Sequence, residues 1–82
     1  MKIALLGASS QIARGLLRNF ILDEANQLFL FTRDIVSYQE WLNIKQLNSP
    51  QCSINSLEEF NDSIKYDLII NFIGIGDPSK AL

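Results

Sequence analysis

The sequence predicts an α/β fold built on a parallel β-sheet. Short apolar runs alternate along the chain with segments that carry helix-capping residues or amphipathic spacing, and this alternation is typical of parallel sheets. The runs that predict strands are Lys2–Leu6, Leu28–Thr32, Gln51–Ile54 and Asp67–Ile73. Since parallel strands are joined by right-handed helical crossovers, we expect the order β-α-β-α-β-α-β.

The first predicted helix follows Gly7 and has one apolar side. Ser9 or Ser10 can cap its start by accepting a hydrogen bond from a free backbone N–H. Arg14 and Arg18 fall on its polar side. The apolar positions are spaced so that all of them lie on one side of a helix: Ile12, Ala13, Leu16, Leu17, Phe20 and Ile21.

Two Ser-x-x-Glu boxes predict the starts of the later helices. The box of Ser37 and Glu40 predicts a helix that Asn48–Pro50 ends. The box of Ser56 and Glu59 predicts a short third helix. The residues expected to face the core are Tyr38, Trp41, Leu42 and Leu47 in the second helix, and Leu57, Phe60 and Ile64 in the third.

Composition narrows the classes of function. The 82 residues carry 7 basic and 9 acidic side chains, and the basic ones form no stripe, which argues against a nucleic-acid partner. Histidine is absent, so we expect neither imidazole acid–base catalysis nor an imidazole zinc site. A lone Cys52 favours a reducing cytoplasm and is expected to be a small buried hydrophobe. No apolar run approaches the roughly 20 residues that cross a bilayer.

The carboxyl-terminal residues predict an unfinished domain. Asp77–Pro78 has the pattern of a helix start, and only four residues follow it. We therefore expect residues 1–82 to be part of a longer domain, truncated before its second half. The fourth strand would then lie at a sheet edge without charged protection, and we expect self-association through that strand.

The turn after the first strand carries the main functional signal. Gly7 permits a tight turn, the helix start presents free backbone N–H groups, and Ala13 is small enough for close packing. The run Gly7–Ala13 resembles the Gly-x-x-Gly-x-x-Gly turn of short-chain dehydrogenases, in particular the extended and atypical branch that includes NAD(P)-dependent epimerases, dehydratases and reductases. Gly7, Ser10 and Ala13 stand at its three glycine positions; a purely structural turn is the alternative interpretation.

The resemblance implies a Rossmann-like, three-layer αβα domain with strand order 3-2-1-4. It also implies NADP as the cofactor, because Arg33 follows the second strand and suits the extra phosphate. NAD stays the alternative, because Asp34 can bind ribose hydroxyls instead. The cofactor-binding residues that the resemblance implies are Gly7, Ser9, Ser10, Gln11, Ile12, Thr32, Arg33, Ile54, Phe72, Ile73 and Gly74.

Two of the implied positions have an equally good structural explanation. Ile54 either lies beside the adenine or packs in the core. Asn71 either contacts the cofactor or is a buried amide that joins loops. Gly74 and Gly76 would let the cofactor approach the backbone closely.

No catalytic residue is expected in this chain. The catalytic Tyr-x-x-x-Lys pair of the family is absent, since Leu42 follows Tyr38 and Ile70 follows Tyr66 at the fourth position. The resemblance implies the cofactor-binding part of an NAD(P)-dependent epimerase, dehydratase or reductase, with a nucleotide sugar as one substrate class. The alternatives are a non-catalytic NADP sensor or scaffold, and an α/β interaction domain without a cofactor.

Overall fold

A computed structural model of the protein describes residues 1–61 and 64–73. Within them lies one four-stranded parallel sheet with strand order β3-β2-β1-β4 and two α-helices, which confirms the predicted α/β, Rossmann-like class and strand order. The elements are β1 (Lys2–Leu6), α1 (Gln11–Phe20), β2 (Gln27–Thr32), α2 (Ile35–Ile44), β3 (Cys52–Ser56), a 3-10 turn (Leu57–Glu59) and β4 (Leu68–Asn71).

Strand β1 is central and pairs with both β2 and β4. Ile3 lies opposite Leu28 on one side and opposite Leu68 on the other, and every pairing is parallel. The chain advances in one direction from β1 through β2 to β3 and then returns past β1 to form β4. The direction of winding therefore reverses between β1 and β4, and ligands of open α/β sheets bind in the crevice that such a reversal leaves at the carboxyl ends of the strands.

One face of the sheet holds the apolar core. Ile3 and Leu5 of β1 and Leu28 and Leu30 of β2 are completely buried there. Helix α1 adds Ala13 and Leu17, and α2 adds Tyr38 and Leu42. Each large apolar side chain buried in this way stabilises the fold by about 1.5–3 kcal/mol relative to an exposed one. This layer therefore fixes which side of each helix faces the sheet.

The opposite face is covered by aromatic rings in the described residues. Phe29 packs edge-on against Tyr66, Phe31 packs edge-on against Phe60, and Phe60 stacks with Tyr66. Ile69 of β4 points to this face and is 50% exposed. The covering of this face is thus thinner near β4 than near β2.

The predicted capping box at Ser37 is wrong. Helix α2 begins three residues earlier than that box predicts, at Ile35 rather than Tyr38, and its cap is Asp34. The Asp34 carboxylate accepts hydrogen bonds from both the backbone N–H and the hydroxyl of Ser37, so Ser37 is a donor inside the first turn. A carboxylate one turn upstream offers two strong acceptor oxygens, and for that reason it replaces the serine as the cap.

The second predicted box is also wrong within the described residues. Ser56 makes no side-chain capping bond, and the residues after it form a 3-10 turn rather than an α-helix. Ser56 is still paired with Thr32 as the last residue of β3. Phe60 returns to extended backbone with its ring against Phe31, which stops the turn after Glu59. Ile64, expected to face the core, is 37% exposed.

Two helix details differ from the sequence prediction. Ile12, expected on the apolar side of α1, is 59% exposed because it lies in the first turn, beyond the end of the sheet. Helix α2 ends before Asn48: Gln46 has a φ of 56°, and the backbone N–H groups of Gln46 and Leu47 bond the carbonyls of Asn43 and Leu42. This Schellman motif ends the helix without a glycine or proline.

Candidate functional site at the opening turn

The site is built where the winding reverses, from the carboxyl ends of β1 and β4, the turn after β1 and the start of α1. Gly7 turns the chain with a φ of +78°. The N–H groups of Gly7 and Ala8 both donate to the carbonyl of Phe31, at 2.9 and 3.0 Å. These two bonds tie the turn to the end of β2, so the turn has a fixed position over the sheet.

Gly7 has an intramolecular reason to be a glycine. A Cβ at this position would lie 3.2 Å from both the carbonyl carbon of Phe72 and the backbone nitrogen of Ile73. The segment after β4 is itself held in place, because the N–H of Phe72 donates to Leu6 and the N–H of Ile73 donates to Oδ1 of Asn71. The glycine is therefore needed for close packing within the chain, and it does not by itself indicate a ligand.

The start of α1 leaves backbone donors free. Ser10 is the cap, and its hydroxyl oxygen accepts from the N–H of Ala13 at 3.1 Å. The N–H groups of Ser9, Gln11 and Ile12 donate to no acceptor among the described residues, and all three residues are exposed. No acidic side chain lies in the first turn of the helix.

This helix start is electropositive. Unbonded N–H groups and the aligned peptide dipoles together give the first turn of an α-helix about half a positive charge. Such a start is suited to an anion with several acceptor oxygens, such as a phosphate or a pyrophosphate. The arrangement can hold and orient an anion; it offers no group to transfer a proton.

The two charged residues that follow β2, Arg33 and Asp34, differ in whether they are already bonded within the described residues. Thr32 is buried, at 1% exposure, so it offers almost no surface to a ligand. Arg33 is exposed and forms no hydrogen bond or ion pair with the described residues. Asp34 is already bonded to Ser37, and the bond from the Ser37 backbone, followed by that from its hydroxyl, lowers the pKa of the carboxyl.

The remaining predicted positions lie at different distances from the turn. Phe72 and Ile73 contact the turn, although the Phe72 side chain is buried in the core and Ile73 is 42% exposed. Ile54 is half-buried against the core on β3, an edge strand that β2 separates from β1. Gly74 lies outside the described residues.

The structure thus brings seven of the predicted residues together and leaves two nearby. Those at the turn are Gly7, Ser9, Ser10, Gln11, Ile12, Phe72 and Ile73. Thr32 is the last residue of the neighbouring strand β2, and Arg33 follows it. Asn71, expected either to contact the cofactor or to be a buried amide, is exposed, because β4 presents it on the thinly covered face, and the buried-amide interpretation is therefore wrong. Sequence reasoning missed the Phe31 carbonyl, since no side-chain pattern marks a backbone acceptor.

Metal-binding clusters and membrane-spanning helices are both absent from the described residues. Among residues 1–61 and 64–73, no group of three histidine, cysteine, aspartate or glutamate side chains is placed to hold a metal ion. In the same part of the chain, no helix has the length and apolar character needed to cross a membrane. No protein-family model, curated protein or solved structure matches this chain.

Proposed function

We propose that the chain binds a dinucleotide, NADP with NAD as the alternative, by its pyrophosphate at the start of α1. The observation that carries this proposal is the set of three backbone N–H groups, at Ser9, Gln11 and Ile12, that have no acceptor among the described residues and lie where the sheet reverses its winding. The turn itself is fixed by its bonds to Phe31, so the donors are held in place before any ligand arrives.

The state of the two residues after β2 supports NADP over NAD. Asp34, the acid that would bind ribose hydroxyls, has both carboxylate oxygens engaged by Ser37. The exposed guanidinium of Arg33, at the same carboxyl edge of the sheet, has no partner within residues 1–61 and 64–73. Guanidinium binds a phosphate through two parallel hydrogen bonds, which suits the 2′-phosphate of NADP.

The central test adds one negative charge at the proposed pyrophosphate site. In the variant Gln11→Glu an exposed side chain in the first turn becomes anionic, which favours the helix but repels a pyrophosphate. We expect the thermal midpoint to stay the same or rise, while calorimetry shows NADPH affinity falling by about tenfold or more.

The matched control is Gln27→Glu, which adds the same charge to an exposed glutamine at the amino end of β2, on the far edge of the sheet. We expect it to change NADPH affinity less than about twofold. Absence of NADPH and NADH binding to the wild-type chain would refute the proposal, and so would a Gln11→Glu variant that binds as well as the wild type.

Cofactor preference has a separate test. Arg33→Ala should weaken NADPH more than NADH, because only NADPH carries the 2′-phosphate that the guanidinium would bind. Equal losses for the two cofactors would contradict the preference for NADP and leave the pyrophosphate site standing.

We further infer an origin in the epimerase, dehydratase and reductase branch of the short-chain dehydrogenases, in a reducing cytoplasm that suits the free thiol of Cys52. The non-catalytic NADP sensor is the competing proposal. A Tyr-x-x-x-Lys pair in a longer gene product would favour the enzyme. The 82-residue chain alone is expected to turn over no substrate.

Self-association through β4 is part of the proposal. Leu68–Asn71 contains no charge and no proline, and among the described residues it pairs only with β1. The other edge strand, β3, presents Ser53 and Asn55. Edges without charged or proline protection pair with other chains.

Sedimentation equilibrium tests the association. Ile69→Lys, which places a charge on β4, is expected to convert a dimer into a monomer. Val36→Lys, at another exposed aliphatic position on α2, is expected to leave the dimer intact. A wild-type chain that sediments as a monomer at every concentration would exclude this part of the proposal.

A further inference from the structure

The side of α1 that faces α2 carries two arginines on one tryptophan ring. The guanidinium carbon of Arg14 lies 4.5 Å from the centre of the Trp41 ring, and that of Arg18 lies 6.0 Å from it. Trp41 is itself packed against the buried ring of Tyr38. The two cations are thereby held over a rigid platform, and cation–π attraction offsets part of their mutual repulsion.

These two cations have no counter-charge among residues 1–61 and 64–73. Neither guanidinium forms an ion pair or a hydrogen bond with the described residues, and the Nε of Arg14 is buried without an acceptor. Arg14 and Arg18 are four residues apart on α1, where like charges destabilise a helix. Glu40, the acidic residue of α2 next to Trp41, is exposed and pairs with neither arginine. The molecule has a net charge of −2, yet this surface is locally positive.

Exposed aliphatic side chains extend the same surface. Leu22 lies one turn beyond Arg18 and is 80% exposed, and Ile44 lies one turn beyond Trp41 and is 75% exposed. Helices α1 and α2 run in the same direction because both connect parallel strands. Since Trp41 lies beside the two arginines and the two helices run in the same direction, Ile44, one turn later in α2, lies beside the end of α1. We call these five residues, Arg14, Arg18, Leu22, Trp41 and Ile44, the Arg–Trp surface.

We propose that the Arg–Trp surface docks an acidic segment of a partner protein that also carries aliphatic side chains. Charge complementarity supports this occupant: the two guanidiniums beside Trp41 carry positive charge that attracts carboxylates, Arg18 is exposed to receive them, and the neighbouring aliphatic residues gain contact area only from a ligand with apolar groups. None of the five residues belongs to the opening turn, so we expect such a partner to leave the start of α1 accessible.

A membrane surface and a free small anion fit this surface less well. Trp41 has its ring covered by the arginines and is not available for insertion among lipid headgroups, and two cations provide weak attraction to an anionic bilayer. A small anion would satisfy the guanidiniums and make no use of Leu22 and Ile44.

Trp41 is the only tryptophan in the chain, so its fluorescence reports on this surface. The probes are a synthetic hexapeptide Glu-Leu-Glu-Glu-Leu-Glu, the matching peptide with glutamine in place of glutamate, inorganic phosphate at equal ionic strength, and vesicles of phosphatidylcholine with phosphatidylserine. We expect the acidic peptide alone to give a saturable change in Trp41 emission.

Variants locate the binding. Arg18→Gln is expected to weaken the acidic peptide by about tenfold, and Ile44→Ser by a smaller factor. Lys65→Gln, which removes a charge from an exposed position near β4, is the control and is expected to change affinity less than about twofold. Far-ultraviolet circular dichroism verifies that each variant folds.

Four results would overturn the proposal. They are equal losses for Arg18→Gln and Lys65→Gln, equal binding of the glutamine peptide, saturation by phosphate alone, and a response to vesicles without a response to the acidic peptide. Binding of the acidic peptide in the presence of saturating NADPH would show, in addition, that this surface and the cofactor site are separate.

Discussion

The two α-helices begin at the same edge of the sheet but differ in how their starts are satisfied. Helix α1 has a neutral cap, Ser10, and three of its first backbone N–H groups find no acceptor in the part of the chain that the structure describes. Helix α2 is capped by a carboxylate, Asp34, which accepts two hydrogen bonds from Ser37. A helix start can therefore receive an external anion only where the chain has not already supplied an anion of its own.

At the opening turn, the residue that packing requires differs from the groups that are available to a ligand. Gly7 is required by the approach of Phe72 and Ile73, whereas the free N–H groups at the start of α1 serve no contact within the described residues. Substitution of the glycine therefore tests the fold, and substitution of the neighbouring exposed residues tests the ligand. The predictions below follow that division.

The largest effect is expected at Gly7. In Gly7→Ala a Cβ must occupy a left-handed conformation and displace backbone at 3.2 Å, which we expect to cost about 1–3 kcal/mol of unfolding free energy. Gly15→Ala is the matched control, because open space surrounds Gly15 in the middle of α1. It should raise stability by about 0.5–1 kcal/mol. Urea denaturation measures both, and equal effects would contradict the packing role of Gly7.

The next effect is loss of the cap of α1. Ser10→Ala removes the acceptor for the N–H of Ala13 and is expected to lower the unfolding free energy by about 1 kcal/mol. Ser9→Ala, at the neighbouring exposed position, should change it by less than about 0.5 kcal/mol. Thermal unfolding of the two variants distinguishes them, and a larger effect at Ser9 would show that the cap is misassigned.

A variant that exchanges the type of cap tests directly why the two helix starts differ. Ser10→Asp gives α1 the carboxylate that α2 already has, so the helix should stay capped while its start becomes unable to accept an anion. We expect a thermal midpoint within a few degrees of the wild type and loss of NADPH binding by calorimetry. A variant that keeps both its stability and its NADPH affinity would break the comparison between the two helix starts.

The smallest effect is the pH dependence from Asp34. The pKa of this carboxyl is lowered from 3.8 in the folded protein, so its ionised form stabilises the fold at pH values above the unfolded pKa. That contribution is lost as the pH falls through the folded pKa. In Asp34→Asn, which keeps a good cap, the fall in unfolding free energy below about pH 4 should be shallower.

Denaturation curves from neutral pH to about pH 3 measure this dependence. Asp23→Asn is the matched control, because Asp23 lies in the turn before β2 and bonds the N–H of Ala25 rather than a helix start. An unchanged acid limb in Asp34→Asn would mean that the carboxylate contributes nothing beyond the amide that replaces it.

Local sequence patterns were sufficient to predict several of the strands, helices and buried residues. The apolar run of Lys2–Leu6 is a strand with the predicted bounds, and the strand order 3-2-1-4 is confirmed. Tyr38 and Leu42 are buried as their spacing predicts. The strand bounds and the buried positions depend on periodic spacing between neighbouring residues, whereas the strand order was implied by the resemblance of the opening turn to short-chain dehydrogenases. The helix starts were harder to predict, because Asp34, Ser37 and Ser56 all have the side chains of caps and only their surroundings select among them.

Neighbouring side chains were enough to establish that apolar strands alternate with helices along this chain, because periodic spacing is a local property. The strand order, the contact of Gly7 with Ile73, the exposure of Ile12 and the lack of acceptors among the described residues for the amides at the start of α1 all depend on tertiary packing. The space around the turn is bounded by residues as distant as Ile73, 66 residues after Gly7 (73 − 7), and no local pattern records where such residues arrive.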